Sequence, residues 1–430
     1  MKNQFKRYNW IENVILVVGF LVIGLPLYPS NKLLDYIKIM GTSINIFQII
    51  LIGVILTILF GMCKKSYIGI NKKDTAIWLL LIITAIHLFY GIVVKNNMEY
   101  ILRDLNLYLF PIIIYCVFSY FFRRNRWNID DILTYLFYAV FFVCSLNILM
   151  YLTKNLSFWG VETFSGGRFG GSYLSTITLV GGYAIHQIFN NFYNIKKIYI
   201  LSFFILSTWS IVLSQSRGLL IFTLISYIII ALINIMPKQK LVIKRKVYFF
   251  IVFISVLIII CIIIMNSNSG LASRIINTDL SSDTDSGIVR WNIYIYNIKL
   301  LLKQPFGAGL GALFPFYNGA GVLIGFSNTI DNSYLTIAEK MGVITGIIYI
   351  YVIIIKPIWY FLKNNKNKVY LGCLVAYSLF LINSSFLTAQ TINGIGVSSI
   401  TWILIAFIRS NNIGEAKNRY DNKRKRSNSN

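Results

Sequence analysis

Residues 198–235 read IYILSFFILSTWSIVLSQSRGLLIFTLISYIIIALINI. Two apolar runs, 198–214 and 218–236, meet at the polar joint Ser214-Gln215-Ser216-Arg217-Gly218. A helix rises about 1.5 Å per residue and a hydrocarbon core is about 30 Å thick, so runs near twenty apolar residues are bilayer spans. A guanidinium at such a seam is costly unless an anion partners it, so Arg217 is a functional candidate by default.

The same reading extends along the chain. Of 430 residues, 57% are hydrophobic and only 13% charged, and the mean hydropathy is +0.67, which excludes an ordinary soluble globule. Apolar runs at 10–29, 44–62, 75–95, 105–122, 132–152, 172–191, 198–214, 218–236, 247–265, 333–355, 369–388 and 392–408 predict about twelve transmembrane helices. The fold class expected is therefore all-α and polytopic, because irregular backbone and open sheets cannot face lipid. Residues 1–408 read as one transmembrane domain, and the Lys-, Arg-, Asn- and Ser-rich tail 409–430 as a disordered basic segment. The first run contains Glu12 and Pro26 and lacks a small-residue cleavage site, so it reads as a span, not a leader.

The formal net charge is +25, and its distribution argues against nucleic acid as a partner. About 28 of the 40 Lys and Arg fall in alternate loops (2–7, 64–73, 123–126, 196–197, 238–246, 356–368 and 409–426), which places those loops and both termini in the cytoplasm by the positive-inside rule. The basic surface then faces anionic lipid, so membrane lipids are expected partners. All five cysteines lie in or beside apolar runs, so no disulfide framework is implied.

Two loops fall on the outer side. Residues 153–171 carry Gly166-Gly167-Arg168-Phe169-Gly170-Gly171, an arginine on glycine-flanked backbone. Residues 266–332 form the longest loop, and loops of that length are functional or contain local structure. Within it Ile288, Trp291, Ile295, Ile298 and Leu302 recur at helical spacing, which predicts an amphipathic helix over 287–303 lying on the outer surface. Gln304-Pro305 should end that helix, and Phe306-Gly307-Ala308-Gly309-Leu310-Gly311 should turn the chain. The glycine run is no dinucleotide fingerprint, since no strand precedes it.

The candidate site residues gather on this side. Arg217 and Arg290, with Arg168 and Arg103, could fork onto phosphate oxygens; the plainer reading is snorkelling or contact with anionic lipid. Ser216 and Trp291 stand beside the two leading arginines. Asp331-Asn332-Ser333-Tyr334-Leu335 opens the tenth run, with Glu339 about two turns deeper. A carboxylate at a shielded boundary can have a raised pKa and act as a base. The plainer readings are that Asp331 or Asn332 caps the helix, and that Glu339 pairs with Lys340 or an outer arginine. Outer aromatics (Trp159, Phe169, Trp291, Phe314, Phe316, Tyr317) could stack on sugar faces. His87 and His186 each lie inside a run and are expected to hydrogen-bond neighbouring helices. No metal-ligand spacing or cofactor motif is present in the sequence.

These motifs in this order (Ser214 to Gly218, Arg290-Trp291 leading to Pro305-Phe306-Gly307-Ala308-Gly309, and Asp331 to Leu335 with Glu339 and Gly342) resemble the O-antigen ligase/polymerase superfamily. Arg168-Phe169-Gly170-Gly171 resembles that family's arginine–glycine element. The resemblance implies a GT-C-like fold in the cell membrane, and a metal-independent glycosyltransferase without cofactor whose active site is extracytoplasmic. It implies an undecaprenyl-diphosphate-linked oligosaccharide as donor, with Arg217 and Arg290 on its diphosphate, and a chain-length regulator as partner. The ligase pattern has a histidine where this chain has Asp331, which tilts the expectation to a polymerase of a surface polysaccharide. Asp331 would then be the leading base, with Arg168, Ser216, Trp291, Asn332, Tyr334 and Glu339 on substrate. A ligase or protein glycosyltransferase of the same superfamily is the alternative. A lipid-linked glycan transporter is a third reading, disfavoured because the notable charges gather at the outer edge and not at the midplane.

Overall fold

A computed structural model describes residues 37–39, 42–44, 75–123, 129–153, 162–164, 168–170, 174–190, 195–214, 217–235, 286–318, 320–330, 332–363 and 400–410 of the chain. The elements in order are β1 (Ile37–Ile39), β2 (Thr42–Ile44), α1 (Thr75–Val93), α2 (Met98–Arg123), α3 (Ile129–Thr153), β3 (Glu162–Phe164), β4 (Arg168–Gly170), α4 (Leu174–Asn190), α5 (Lys197–Ser214) and α6 (Arg217–Ile235). There follow α7 (Ser286–Lys303), β5 (Phe314–Tyr317), β6 (Leu323–Ser327), α8 (Ser333–Met341), α9 (Val343–Ile350), a π turn (Tyr351–Ile355) and α10 (Lys356–Lys363). The last described helix is α11 (Ile400–Ser410).

Apolar runs become helices where expected. Helices α1 and α3 to α6 coincide with the runs at 75–95, 132–152, 172–191, 198–214 and 218–236 to within a few residues. Helix α2 starts earlier than the run at 105–122 because Met98 to Asp104, of mixed polarity, add about two turns at its start. Four described helical stretches are long and apolar enough to cross a membrane: Thr75–Val93, Ile132–Thr153, Lys197–Ser214 and Val343–Tyr360. The runs at 10–29, 247–265 and 369–388, nearly all of 44–62, and the tail from 411 lie outside the described residues.

Two expectations need correction. The run at 333–355 is not one helix. It breaks at Gly342, whose φ of 86° is the left-handed region that favours glycine, and the amide of Gly342 closes α8 on the Ala338 carbonyl. The spanning segment therefore starts at Val343, and α8 is a separate short helix before it. The all-α expectation holds for the apolar runs at 75–95, 105–122, 132–152, 172–191, 198–214 and 218–236 but not for the connections, where three short antiparallel hairpins pair β1 with β2, β3 with β4 and β5 with β6. In the second, Arg168 pairs with Phe164. The third is rich in aromatic and branched residues and shows a register shift at Phe316/Tyr317. Such hairpins were invisible to an apolar-run reading because three to five residues carry no span-length signal.

The helices close on each other through small and polar residues, as in a bilayer, where lipid offers no hydrophobic penalty for staying apart. Between α4 and α6, Thr178 and Thr223 hydroxyls meet at 3.0 Å, and Gly181 leaves room for the Tyr227 ring. Thr134 of α3 and Tyr183 of α4 meet at 3.1 Å. The α3–α5 seam is aromatic, with Phe137 and Phe203 ring centroids 5.0 Å apart. Buried Trp402 of α11 packs edge-on to Tyr349 of α9, which in turn meets Tyr108 of α2. Hydrogen bonds from Leu310 to His87 and from Gly311 to Asp104 place the connection between α7 and α9 against the ends of α1 and α2.

Candidate functional site

Helix α7 is the amphipathic helix expected over 287–303, and Lys303 is its last residue, before Gln304-Pro305. Its Ile293 and Asn297 are fully buried against β5 and α8, in a small core with Ala312, Phe314 and Ile330. The stripe Trp291, Ile298 and Leu302 is exposed. Arg290 is partly buried on this helix.

The glycine-rich turn that follows is a clasp. Pro305 accepts a hydrogen bond from the Val343 amide, the first residue of α9, at 3.0 Å. The amides of Ala308 and Gly309 donate to the Glu339 and Lys340 carbonyls of α8 at 2.8 and 3.0 Å. The Leu310 amide donates to the His87 carbonyl of α1 at 3.1 Å, and Asn96 Nδ2 donates to the carbonyls of Ala308 and Leu310. Gly309 has φ 83°, and a Cβ there would stand 2.9 Å from Gly91 Cα, so only glycine lets the turn lie on α1.

Beneath the clasp sits a charge pair that sequence reading missed. Lys340 Nζ donates to Asp104 Oδ1 at 2.5 Å, and both side chains are fully buried. Asp104 Oδ2 accepts the Gly311 amide at 2.7 Å, so one carboxylate ties α2 to both α8 and the turn. Burial pulls the Lys340 ammonium below its usual pKa, while the negative charge of Asp104 pulls it back up. Arg103, next to Asp104, is near enough to oppose the Lys340 charge. The one signal available in the sequence was a lone acid at the start of an apolar run.

Glu339 does not take Lys340 as its partner. It is only 3% exposed, and neither carboxylate oxygen has a hydrogen-bond partner among the described residues. Neighbouring residues on a helix point about 100° apart, so Lys340 reaches Asp104 while Glu339 faces elsewhere. Burial pushes the Glu339 carboxyl up to about 9, against a smaller opposing effect of Lys340. At neutral pH it is a protonated carboxylic acid able to donate a hydrogen bond.

Of the two capping candidates, Asn332 is the cap. Its Oδ1 accepts the amides of Tyr334 and Leu335 at 3.1 and 3.0 Å. Tyr334 is partly buried with an unpartnered hydroxyl, and burial raises that hydroxyl's pKa. Helix α7 packs on α8, so the helix that carries Arg290 lies against the one that carries Tyr334 and Glu339 behind its cap Asn332, while Trp291 is exposed on α7. Arg217 opens α6, and Arg168 lies in β4, which packs against α5; their side chains, and all of Ser216 and Asp331, lie outside the described residues. Among the described residues no group of three or more His, Cys, Asp or Glu could hold a metal ion. His87 Nδ1 is buried without a hydrogen bond, whereas His186 is buried and has a partner.

Helices able to cross a bilayer, with a clasped loop carrying charged groups at their ends, define a membrane-embedded protein. Residues 202–350, from within α5 to the end of α9, match the family model described as O-Antigen ligase, so this segment of the chain is similar to the O-antigen ligase/polymerase superfamily. Proteins of that family are glycosyl-transferring enzymes, ligases and polymerases among them. No curated protein matches the chain.

Proposed function

We propose that this protein is a polymerase of a surface polysaccharide, moving a growing glycan from an undecaprenyl-diphosphate donor to a lipid-linked repeat unit on the outer face of the cell membrane. The observation that carries the reading is the span of the family match. It begins just before Arg217 and ends just after Glu339, so it encloses Arg217, Arg290, Asp331 and Glu339 in one segment.

In this reading Arg217 and Arg290 hold the donor diphosphate and stabilise the charge that grows on it as it leaves. An acceptor hydroxyl attacks the donor's anomeric carbon, the bond from that carbon to the diphosphate oxygen breaks, and the hydroxyl proton passes to the Asp331 carboxylate. Undecaprenyl diphosphate departs with the bonding electrons. Glu339 stays neutral and donates a hydrogen bond to substrate from its buried position on α8. Arg168, Ser216, Trp291 and Tyr334 line the substrate, while Asn332 serves mainly to fix the start of α8.

Arg217→Ala or Arg290→Ala should leave the protein in the membrane and stop chain extension, read as polymer length on a gel. Normal-length polymer from both variants rejects the assignment. The description of the matching family favours a second reading, transfer of finished glycan by a ligase. A deletion strain separates them: single repeats on the lipid carrier support a polymerase, and long unattached polymer supports a ligase.

A further inference from the structure

Helix α7 exposes a row of large apolar side chains that no element among the described residues covers. Trp291 is 65% exposed, Ile298 48% and Leu302 77%, and Phe306, just past the helix end, is 79% exposed. The spacing of seven and then four residues holds the helical members within a narrow stripe, about 100° per residue around the axis. The opposite face, with Ile293, Asn297 and partly buried Leu300, is the one packed on β5 and α8. Both faces of this helix are apolar, and only one is accounted for by the protein core.

Three observations say what lies on the other. First, the stripe ends at the level where spans end. Pro305, two residues past α7, is bonded to the first amide of α9, and Leu310 is bonded to His87 in the last turns of α1. Second, the surface is continuous with a lipid-facing one: the final turns of α1 expose Phe89, Tyr90 and Val93, and Gly309 lies against Tyr90. Third, exposed Lys299 and Lys303 flank the stripe on one side, and Trp291 stands at its far end. Tryptophan prefers the headgroup level, and lysine beside apolar residues suits anionic lipid.

We infer that α7 lies in the membrane surface on the side where α1 ends and α9 begins, with Ile298, Leu302 and Phe306 among the acyl chains, Trp291 at the headgroup level, within reach of a lipid-linked substrate, and Lys299 and Lys303 on anionic headgroups. Arg290 is about 100° around the helix from Trp291. Docking the stripe in lipid therefore fixes the direction in which Arg290 points. The bilayer itself becomes part of what positions this arginine. The inference rests on the chain being membrane-embedded and stands apart from the glycosyl-transfer reading.

The test uses the full chain in nanodiscs containing phosphatidylglycerol, with native cysteines replaced and a nitroxide placed singly at 302, 306 or, as a lipid-facing reference, 89. Accessibility is measured to oxygen and to a neutral nickel chelate. The expected result is that labels at 302 and 306 favour oxygen, as the label at 89 does. Preference for the nickel chelate would mean the stripe faces water and would overturn the proposal. Shielding from both reagents would mean a protein partner, such as a second copy, and would overturn it equally. Lys299→Glu with Lys303→Glu should move the 302 label several-fold toward nickel accessibility in phosphatidylglycerol; no movement would remove the headgroup part. Failure here while Arg290→Ala still stops glycan extension would leave the proposed activity intact.

Discussion

Asp104→Asn keeps the shape of a side chain that holds two elements at once, and removes only its charge. Lys340 Nζ would then sit fully buried beside a neutral amide, and a single amide oxygen would have to serve both Lys340 and the Gly311 amide. Removing one partner of a buried ion pair costs about 3–5 kcal/mol. The alternative open to the variant is to release the Lys340 proton. From a reference pKa near 10.4 that costs about 4–5 kcal/mol at pH 7, so neither route escapes the penalty. In domains of 150–250 residues 1 kcal/mol moves the thermal midpoint by about 2–4 °C, so in this larger chain the fall should be on the order of 5 °C. The assay is thermal unfolding of the detergent-purified protein, followed by loss of the monodisperse peak after heating. Lys340→Met should cost a similar amount. The double variant should be less destabilised than the sum of the two by about 2 kcal/mol or more, because no lone charge remains. Two unchanged single variants, or strictly additive losses, would refute the coupling of α2 to α8 through this pair.

Glu339 gives a pH dependence of known sign. Its carboxyl is raised to about 9 in the folded protein, so the folded state holds a proton that the unfolded state releases near its ordinary pKa. Stability should fall as pH rises from about 4.5 to about 9, by up to about 1.4 kcal/mol per unit, and Glu339→Gln should flatten that slope; an identical slope in the variant would show that another group is responsible. Gly309→Ala forces a side chain into a left-handed backbone and onto Gly91, so a loss of about 2 kcal/mol or more is expected in the same heating assay. Asn332→Ala removes the acceptor for two amides and should cost about 1 kcal/mol, with Asn332→Asp restoring most of it. Asp331→Asn should lower the rate of glycan extension without changing the amount of protein in the membrane; unchanged extension moves the base elsewhere.

The four described spanning stretches were legible because each falls in a long apolar run, and α7 because five apolar residues repeat at helical spacing. Its end was legible too, since proline cannot continue a helix. The break at Gly342 was not legible, because a single glycine between apolar neighbours is equally at home inside a membrane helix. The hairpin of β5 and β6 was hidden among loop residues with no strict alternation. For the site, the two helices that carry Arg290 and the pair Tyr334 and Glu339, α7 and α8, pack on each other. What could not be read was which acid finds which base. Adjacency in sequence suggested Glu339 with Lys340, while helical geometry separates them and brings Asp104 from more than two hundred residues away. Asn332 was placed on substrate, yet its oxygen is committed to the backbone.

The π turn at Tyr351–Ile355 has a consequence for the helix it interrupts. Ile347, Tyr351, Ile355 and Trp359 are all exposed and recur every four residues. Four residues overshoot one α turn by about 40°, so three such steps would drift roughly 120° and carry Trp359 to another side. The wider winding of one π turn absorbs an added residue and takes back most of that drift. A phase correction is thus written into the coil at mid-length: deleting one residue from 351–355 would restore plain α winding and leave Trp359 within about 20° of Ile347, whereas α winding with all residues kept would swing it about 120° away.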